Sequence, residues 1–375
     1  MKLHCFCCKK DYSLEKAIWR CDCGNYLKLI DINANGLKQS LINNSEVGFW
    51  RYKNVMPFIS HNISIGEGIT PLSKVCFDNR DYFMKLDYLL PTGSYKDRGV
   101  ATMVSQLKQW NLDFVVEDSS GNAGSSVAAY CSKANIKCDV YIPDYTSQGK
   151  AAQIEMYGAN LVKVAGTRED TRNSAVAAGE KSFYASHNWS PFFEHGVKTY
   201  VYEIWEQLNR QLPDIIVAPC GNGSLITSAY IAINELLNAG LASKRPKIVA
   251  VQTENCAPLA LAWQQGKHKR VSIIKKETIA EGISSAEPLK DRDILEAVVN
   301  TNGCFVTVSD SEVWQALLEL AKQGILIEPT SATAPAALKK LNAQGYFKKN
   351  DSIVVELTGN GLKATDKILK LQSKK

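Results

Sequence analysis

From about residue 80 onward, short runs of β-branched and aliphatic residues alternate with amphipathic stretches of helical period. No other feature of the chain constrains its fold as much. The runs are Tyr82–Leu86, Phe114–Glu117, Asp139–Ile142, Leu161–Val164, Ser182–Ala185, Ile215–Ala218, Ile248–Gln252, Phe305–Val308 and Ile353–Leu357. Gly, Pro, Asn or Ser bound them, as expected of strands. Several are apolar at nearly every position, which suits strands covered on both faces. Between them lie helical patterns such as Val197–Arg210, Ser224–Leu237, Ser311–Gln323 and Ser331–Asn342. The alternation predicts an α/β fold with mainly parallel sheets and right-handed crossovers. Asp31–Ser64 has weak periodicity and reads as an irregular connector.

In such folds ligands sit where the carboxyl ends of strands pass into helices. Composition narrows the kind of ligand. A chain of 375 residues suggests about two domains. Its 45% hydrophobic and 22% charged residues are ordinary globular usage, which argues against disorder or a coiled coil. The 44 Lys+Arg against 38 Asp+Glu give a net charge of +6, scattered without the basic block of a nucleic-acid arm. No apolar run approaches the ~18 residues of a membrane span. The start, Met1-Lys2-Leu3-His4-Cys5, is followed by Cys and charge rather than an apolar leader. The expectation is a cytoplasmic protein with a small-molecule partner and neither nucleic acid nor membrane.

Of eleven cysteines, five fall at positions 5, 7, 8, 21 and 23. An odd count without a secretory leader argues against a disulfide framework. Cys5-x2-Cys8 and Cys21-x-Cys23-Gly24 have the look of a zinc ribbon, in which four thiolates form a tetrahedral structural site. The single residue inside the second pair weakens the pattern, and a metal-free hairpin of reduced thiols stays open beside it.

Four loops carry the chemistry. Pro91-Thr92-Gly93-Ser94-Tyr95-Lys96-Asp97-Arg98-Gly99 runs from strand to turn to Lys to helix. It places an amine at the mouth of a sheet, where a lysine can form an imine or simply lie on the surface. Ser119-Ser120-Gly121-Asn122-Ala123-Gly124 follows a strand and opens a helix. Free N–H groups there suit a carboxylate or phosphate, against the plainer reading of a capped helix start. Pro219-Cys220-Gly221-Asn222-Gly223-Ser224-Leu225 has the same context without a Walker lysine, and alone it is a weak phosphate signal. Leu357-Thr358-Gly359-Asn360-Gly361 offers a hydroxyl to a heterocycle nitrogen, or is an ordinary glycine turn. Together the loops supply an amine, a phosphate cradle, a carboxylate cradle and a hydroxyl, which is the set that pyridoxal phosphate requires.

The sequence resembles the threonine synthases, within the fold-type-II pyridoxal-phosphate enzymes related to the tryptophan synthase β chain. The resemblance runs from about Gly66 to Lys363. Beyond the four loops it is carried by Gly66-Glu67-Gly68-Ile69-Thr70-Pro71-Leu72, Lys150-Ala151-Ala152-Gln153-Ile154, Gly196-Val197-Lys198-Thr199 and Glu328-Pro329-Thr330-Ser331-Ala332.

The resemblance implies a two-domain α/β enzyme with a small N-terminal ribbon. Residues 1–30 would form the ribbon, 31–110 and 187–375 a large cofactor-binding domain, and 111–186 a smaller mobile α/β domain. Lys96 would form the Schiff base with pyridoxal phosphate. Asn122 would bind the cofactor's 3-hydroxyl, and Ser119, Ser120 and Ala123 the substrate carboxylate. Gly221, Asn222, Gly223, Ser224 and Leu225 would hold the cofactor phosphate, and Thr358 would face the ring nitrogen. Cys5, Cys8, Cys21 and Cys23 match a ribbon at which such chains often begin, with zinc not always kept. The expected activity is a carbon–oxygen lyase or synthase that makes threonine from O-phosphohomoserine, in a homodimer. The alternatives are β-replacement on O-phosphoserine, as in cysteate synthases, a threonine or serine dehydratase, and a catalytically silent homologue.

Two departures stand out. Phe193 in Ser190-Pro191-Phe192-Phe193-Glu194-His195-Gly196 occupies the place of an Arg that grips the substrate phosphate in the family. Losing a guanidinium removes a bidentate ligand, so either another cation such as Arg168 or His195 takes the phosphate or the substrate differs. Tyr95 replaces the usual Phe before the lysine.

Overall fold

The computed structural model describes residues 1–32, 37–57, 60–119, 121–146 and 148–373. The chain divides into two compact units. One comprises Met1–Ile69, Leu90–Thr92 and Lys96–Thr199, and the other Thr70–Leu89, Gly93–Tyr95 and Tyr200–Lys375.

The first unit opens with a three-stranded antiparallel sheet of β1 (Lys2–His4), β2 (Asp11–Tyr12) and β3 (Lys28–Ile30), in the order β2-β1-β3. A sheet this small cannot bury a core alone. Its apolar face (Leu3, Cys5, Tyr12, Cys21, Leu27 and Leu29) is completed by Phe192 and flanked by Trp110. The Trp110 indole N–H donates to the Leu14 carbonyl at 2.6 Å. The ribbon is therefore packed on the α/β body of its own unit.

The rest of this unit is a parallel sheet in the order β6-β7-β8, formed by Phe114–Glu117, Lys137–Pro143 and Asn160–Val164. Its helices are α1 (Lys96–Gln109), α2 (Asn122–Ala134), α3 (Gln148–Met156), α4 (Arg168–Gly179) and α5 (Pro191–Val197). Helix α4 starts at a capping box, with Thr167 and Asp170 satisfying each other's backbone donors.

The second unit holds a six-stranded sheet. Its strands are β4 (Leu72–Phe77), β5 (Arg80–Lys85), β9 (Ile215–Pro219), β10 (Lys247–Thr253), β11 (Cys304–Val308) and β12 (Ile353–Glu356), in the order β11-β10-β9-β12-β5-β4. Only β4 is antiparallel, at an edge. All five residues of β9 and all four of β12 are buried, which is what their unbroken apolar runs predict. Its helices are α6 (Thr199–Gln207, whose first residue belongs to the other unit), α7 (Ser224–Asn238), α8 (Pro258–Gln264), α9 (Asp291–Asn300), α10 (Asp310–Ala321), α11 (Pro329–Ala343) and α12 (Thr365–Gln372). Val217, Val249, Val251 and Val355 of the sheet pack with Leu317, Leu320, Leu338 and Leu341 in one core.

The structure thus has the expected mixed α/β architecture with mainly parallel sheets and a Cys-rich ribbon. Two elements differ from the sequence pattern. Ser182–Ala185 forms a single parallel bridge, Val116 to Tyr184, rather than a strand, because the chain turns away after Ala185. The Val197–Arg210 pattern divides at Lys198 into α5 and α6. There the Thr199 hydroxyl donates to the Gly196 carbonyl at 2.7 Å, competing with the helical ladder. Among the described residues no helix is long and apolar enough to cross a membrane.

Candidate active site

In the first unit, Lys96 is the first residue of α1 and is half-buried. The next residue fixes its position. One oxygen of buried Asp97 accepts the Thr92 N–H at 2.7 Å, and the other accepts the Thr92 and Ser126 hydroxyls, each at 2.6 Å. This carboxylate closes the loop in front of the lysine and also suits the positive end of α1. The Lys96 ammonium lies 5.2 Å from the centre of the Phe193 ring. A lysine over an aromatic face is a cation–π arrangement. Phe193 is fully buried, and Gly99 makes room for it: a Cβ on Gly99 would lie 2.4 Å from the ring. The position where the family's Arg is expected therefore holds a ring keyed into α1.

Behind Phe193 stands the His187 ring, edge-on with centroids 5.6 Å apart. His187 Nδ1 is 3.0 Å from Glu117 Oε1, and the Glu117 side chain is wholly buried. Burial pushes the Glu117 carboxyl well above the usual glutamate range, with Asp118 adding to the rise and Arg168 and Lys96 opposing it. Among the described residues Glu117 Oε2 has no hydrogen-bond partner. The sequence did not single out this pair, whose members are 70 positions apart; the charged end of the otherwise apolar strand Phe114–Glu117 was the available signal.

Asp118, 2% exposed, accepts the Tyr184 hydroxyl at 2.7 Å. Arg168 donates to its carboxylate at 2.8 Å and also to its carbonyl. Burial works against the Arg168 charge, and Asp118 outweighs it. Of the two cations considered for the missing Arg, Arg168 is therefore committed to Asp118, and His195 is buried at 5% exposure. The Ser119 hydroxyl accepts the Gly121 N–H at 3.3 Å, and Asn122 and Ala123 form the first turn of α2. Ser120 lies outside the described residues.

In the second unit, β9 ends at Pro219, the chain passes through Cys220 into Gly221-Asn222-Gly223, and Ser224 opens α7. Gly223 caps that helix at φ +77°, a conformation that glycine adopts without strain. Gly223 has no side chain with which to cap the helix, so the first-turn N–H groups of α7 suit an anion. Asn222 accepts the Ser285 hydroxyl at 2.9 Å, and the Leu225 carbonyl accepts the Tyr200 hydroxyl at 3.3 Å. The Thr358 N–H donates to Ser331 Oγ at 2.8 Å, and its carbonyl accepts the Tyr95 N–H at 3.0 Å. The Thr358 hydroxyl is buried and has no partner among the described residues. Each unit thus gathers its own sequence-predicted residues: Lys96, Ser119, Asn122 and Ala123 in the first, Gly221–Leu225 and Thr358 in the second.

A family model described as pyridoxal-phosphate dependent enzyme matches residues 63–359. The chain belongs to this family. Among curated relatives, the threonine synthase of Methanocaldococcus jannaschii is 31% identical, covering 98% of this chain and 94% of that protein. The threonine synthase of Methanosarcina acetivorans is 29% identical, covering 96% and 92%. Solved structures share the fold. The L-serine ammonia-lyase of Rhizomucor miehei has a TM-score of 0.71 at 21% identity, covering 82% of this chain and 98% of that one. Threonine deaminase isoform 2 of Solanum lycopersicum has a TM-score of 0.68 at 22% identity, covering 82% and 84%.

The residues of this pyridoxal-phosphate-dependent enzyme fit the cofactor. A buried hydroxyl without a partner, as at Thr358, is costly unless a ligand atom completes it. The uncapped start of α7 likewise suits a phosphate.

In the ribbon, the sulfurs of Cys5, Cys8, Cys21 and Cys23 all lie within 4.8 Å of one another, with Cys5–Cys23 at 3.6 Å and Cys8–Cys21 at 3.4 Å. A tetrahedral zinc with bonds of ~2.3 Å sets sulfurs about 3.8 Å apart. Burial opposes ionisation of Cys21, but hydrogen bonds led by the Tyr12 hydroxyl at 3.1 Å outweigh it and bring the thiol down to about 6.

Proposed function

We propose that this enzyme is a carbon–oxygen lyase of the threonine-synthase type, taking O-phosphohomoserine and water to threonine and phosphate. The single observation that carries the reading is likeness to threonine synthases along nearly the whole chain, ribbon included. Bound pyridoxal phosphate supplies an electron sink for the substrate's Cα.

In this reading Lys96 holds the cofactor and then exchanges the Cα proton. The Asp97 clamp fixes the loop from which it acts. Asn122 orients the cofactor's 3-hydroxyl, and Ser119, Ser120 and Ala123 hold the substrate carboxylate with the N–H groups opening α2. Gly221, Asn222, Gly223, Ser224 and Leu225 hold the phosphate, and Thr358 meets the ring nitrogen. As a neutral hydroxyl, Thr358 holds that nitrogen without the charge an Asp would bring. The 111–186 segment acts as the smaller mobile domain that closes over substrate. The four ribbon cysteines hold a structural zinc, and the enzyme works as a cytoplasmic homodimer.

Phe193 favours a second reading. The buried ring supplies no charge to a substrate phosphate, and Arg168 is already paired. A dehydratase acting on an unphosphorylated hydroxy amino acid fits that wall. The test is phosphate release from O-phosphohomoserine and O-phosphoserine beside keto-acid release from threonine and serine. Release of phosphate and threonine from O-phosphohomoserine supports the first reading. Phosphate release from O-phosphoserine alone, giving a β-substituted product with an added nucleophile such as sulfite and no keto acid, moves the enzyme to β-replacement. Keto acid without phosphate release sinks the synthase reading.

A further inference from the structure

Ser224 opens α7 and is 9% exposed, and its hydroxyl lies 3.0 Å from that of Tyr95. The Tyr95 backbone is fixed at its other end. Its N–H donates to the Thr358 carbonyl at 3.0 Å, and the preceding Ser94 pairs antiparallel with Gly359. One residue of the second unit therefore reaches both of its loops, with its peptide at Thr358 and its phenol at Ser224.

Two hydroxyls in contact use one of their two protons between them. A phenol, with a pKa of about 10, is a far better donor than an aliphatic alcohol. Tyr95 therefore donates and Ser224 accepts. The remaining Ser224 proton then points away from Tyr95, at the start of a helix whose N–H groups have no side-chain cap.

We propose that Tyr95 is a positioning residue for the cofactor phosphate: its hydroxyl turns the Ser224 hydroxyl into a donor to that phosphate. The inference rests on reading Gly221–Leu225 as the phosphate loop. It makes this lysine-bearing loop serve the cofactor twice, through Lys96 and through the residue before it.

The experiment titrates cofactor-stripped enzyme with pyridoxal phosphate and with pyridoxal, which lacks the phosphate, following the absorbance of the bound cofactor. The proteins are wild type, Tyr95→Phe, Ser224→Ala and the double variant. Phe keeps the ring and removes only the hydroxyl. Tyr95→Phe is expected to weaken pyridoxal phosphate binding roughly fivefold, the scale of one hydrogen bond, and to leave pyridoxal binding unchanged. In the Ser224→Ala background the same change should add nothing. The inference is overturned if Tyr95→Phe binds pyridoxal phosphate like wild type, weakens both ligands alike, or adds its full loss to that of Ser224→Ala. If Ser224→Ala itself leaves the ratio of the two affinities unchanged, the phosphate-loop reading fails, and the inference with it.

Discussion

The two units bring different chemistry to the residues that the sequence singles out. Around Lys96 the first unit gathers Asp97, Glu117, Asp118, Arg168 and His187, all ionisable and most of them buried. Around Gly221–Leu225 and Thr358 the second unit offers N–H groups and the hydroxyls of Ser224, Tyr95 and Thr358. A proton in transit needs groups that change charge. A bound anion needs only fixed dipoles, and neutral ones hold it without a second buried charge to solvate. The contrast suits the roles proposed above, with Lys96 in the first unit as the group that moves a proton and Gly221–Leu225 in the second as the loop that holds the cofactor phosphate.

The largest effect should come from the first unit. Lys96→Ala is expected to abolish the visible absorbance that borohydride bleaches in the wild type, and to lower turnover at least about 1,000-fold. A variant with substantial turnover would remove Lys96 from its role and erase the contrast. Next is the fit between α1 and Phe193. Gly99→Ala sets a methyl against the ring, at about 1–3 kcal/mol of stability in urea denaturation. Phe193→Leu in the same chain should restore part of that loss, whereas additive losses would show that the ring is not what Gly99 accommodates.

A smaller, pH-dependent effect separates the units further. Burial holds the proton on Glu117 at pH values where the unfolded chain has released it. Stability from this group is therefore lost as pH rises from the ordinary glutamate value through its raised native value. Glu117→Gln has no proton to release, so its stability relative to wild type, measured by urea denaturation at a series of pH values, should climb across that window. Parallel curves would mean that Glu117 is ordinary. The smallest effect belongs to the neutral side. In cofactor-free protein, Thr358→Val removes a buried hydroxyl without a partner and should leave stability unchanged or raise it slightly, independently of pH. A clear loss would show that the protein itself satisfies that hydroxyl.

The sequence made the fold legible where a single periodicity decided it. β9 and β12 lie on their apolar runs, and the loops following β6, β9 and β12 open at the strand ends where the alternation put them. It was less legible where pairing depends on distant partners. Ser182–Ala185 has strand-like composition but among the described residues pairs only with Val116, and β4 carries a weak signal because it is an edge strand with alternating burial. The lysine and the phosphate loop were readable because their residues are contiguous. The Glu117–His187 pair and the Gly99–Phe193 fit join segments that only the folded chain brings together.

The ribbon's packing has a consequence for how this protein can vary. Phe192 completes the ribbon's core, while the next residue, Phe193, faces the lysine. Deleting the first 30 residues would leave Phe192 and Trp110 as a bare apolar face on the unit that carries Lys96. Ribbon and dipeptide should therefore be inherited together. Related chains that have shed the ribbon should carry a polar residue at the position of Phe192, and a chimaera that removes one without changing the other should lose solubility before it loses its fold.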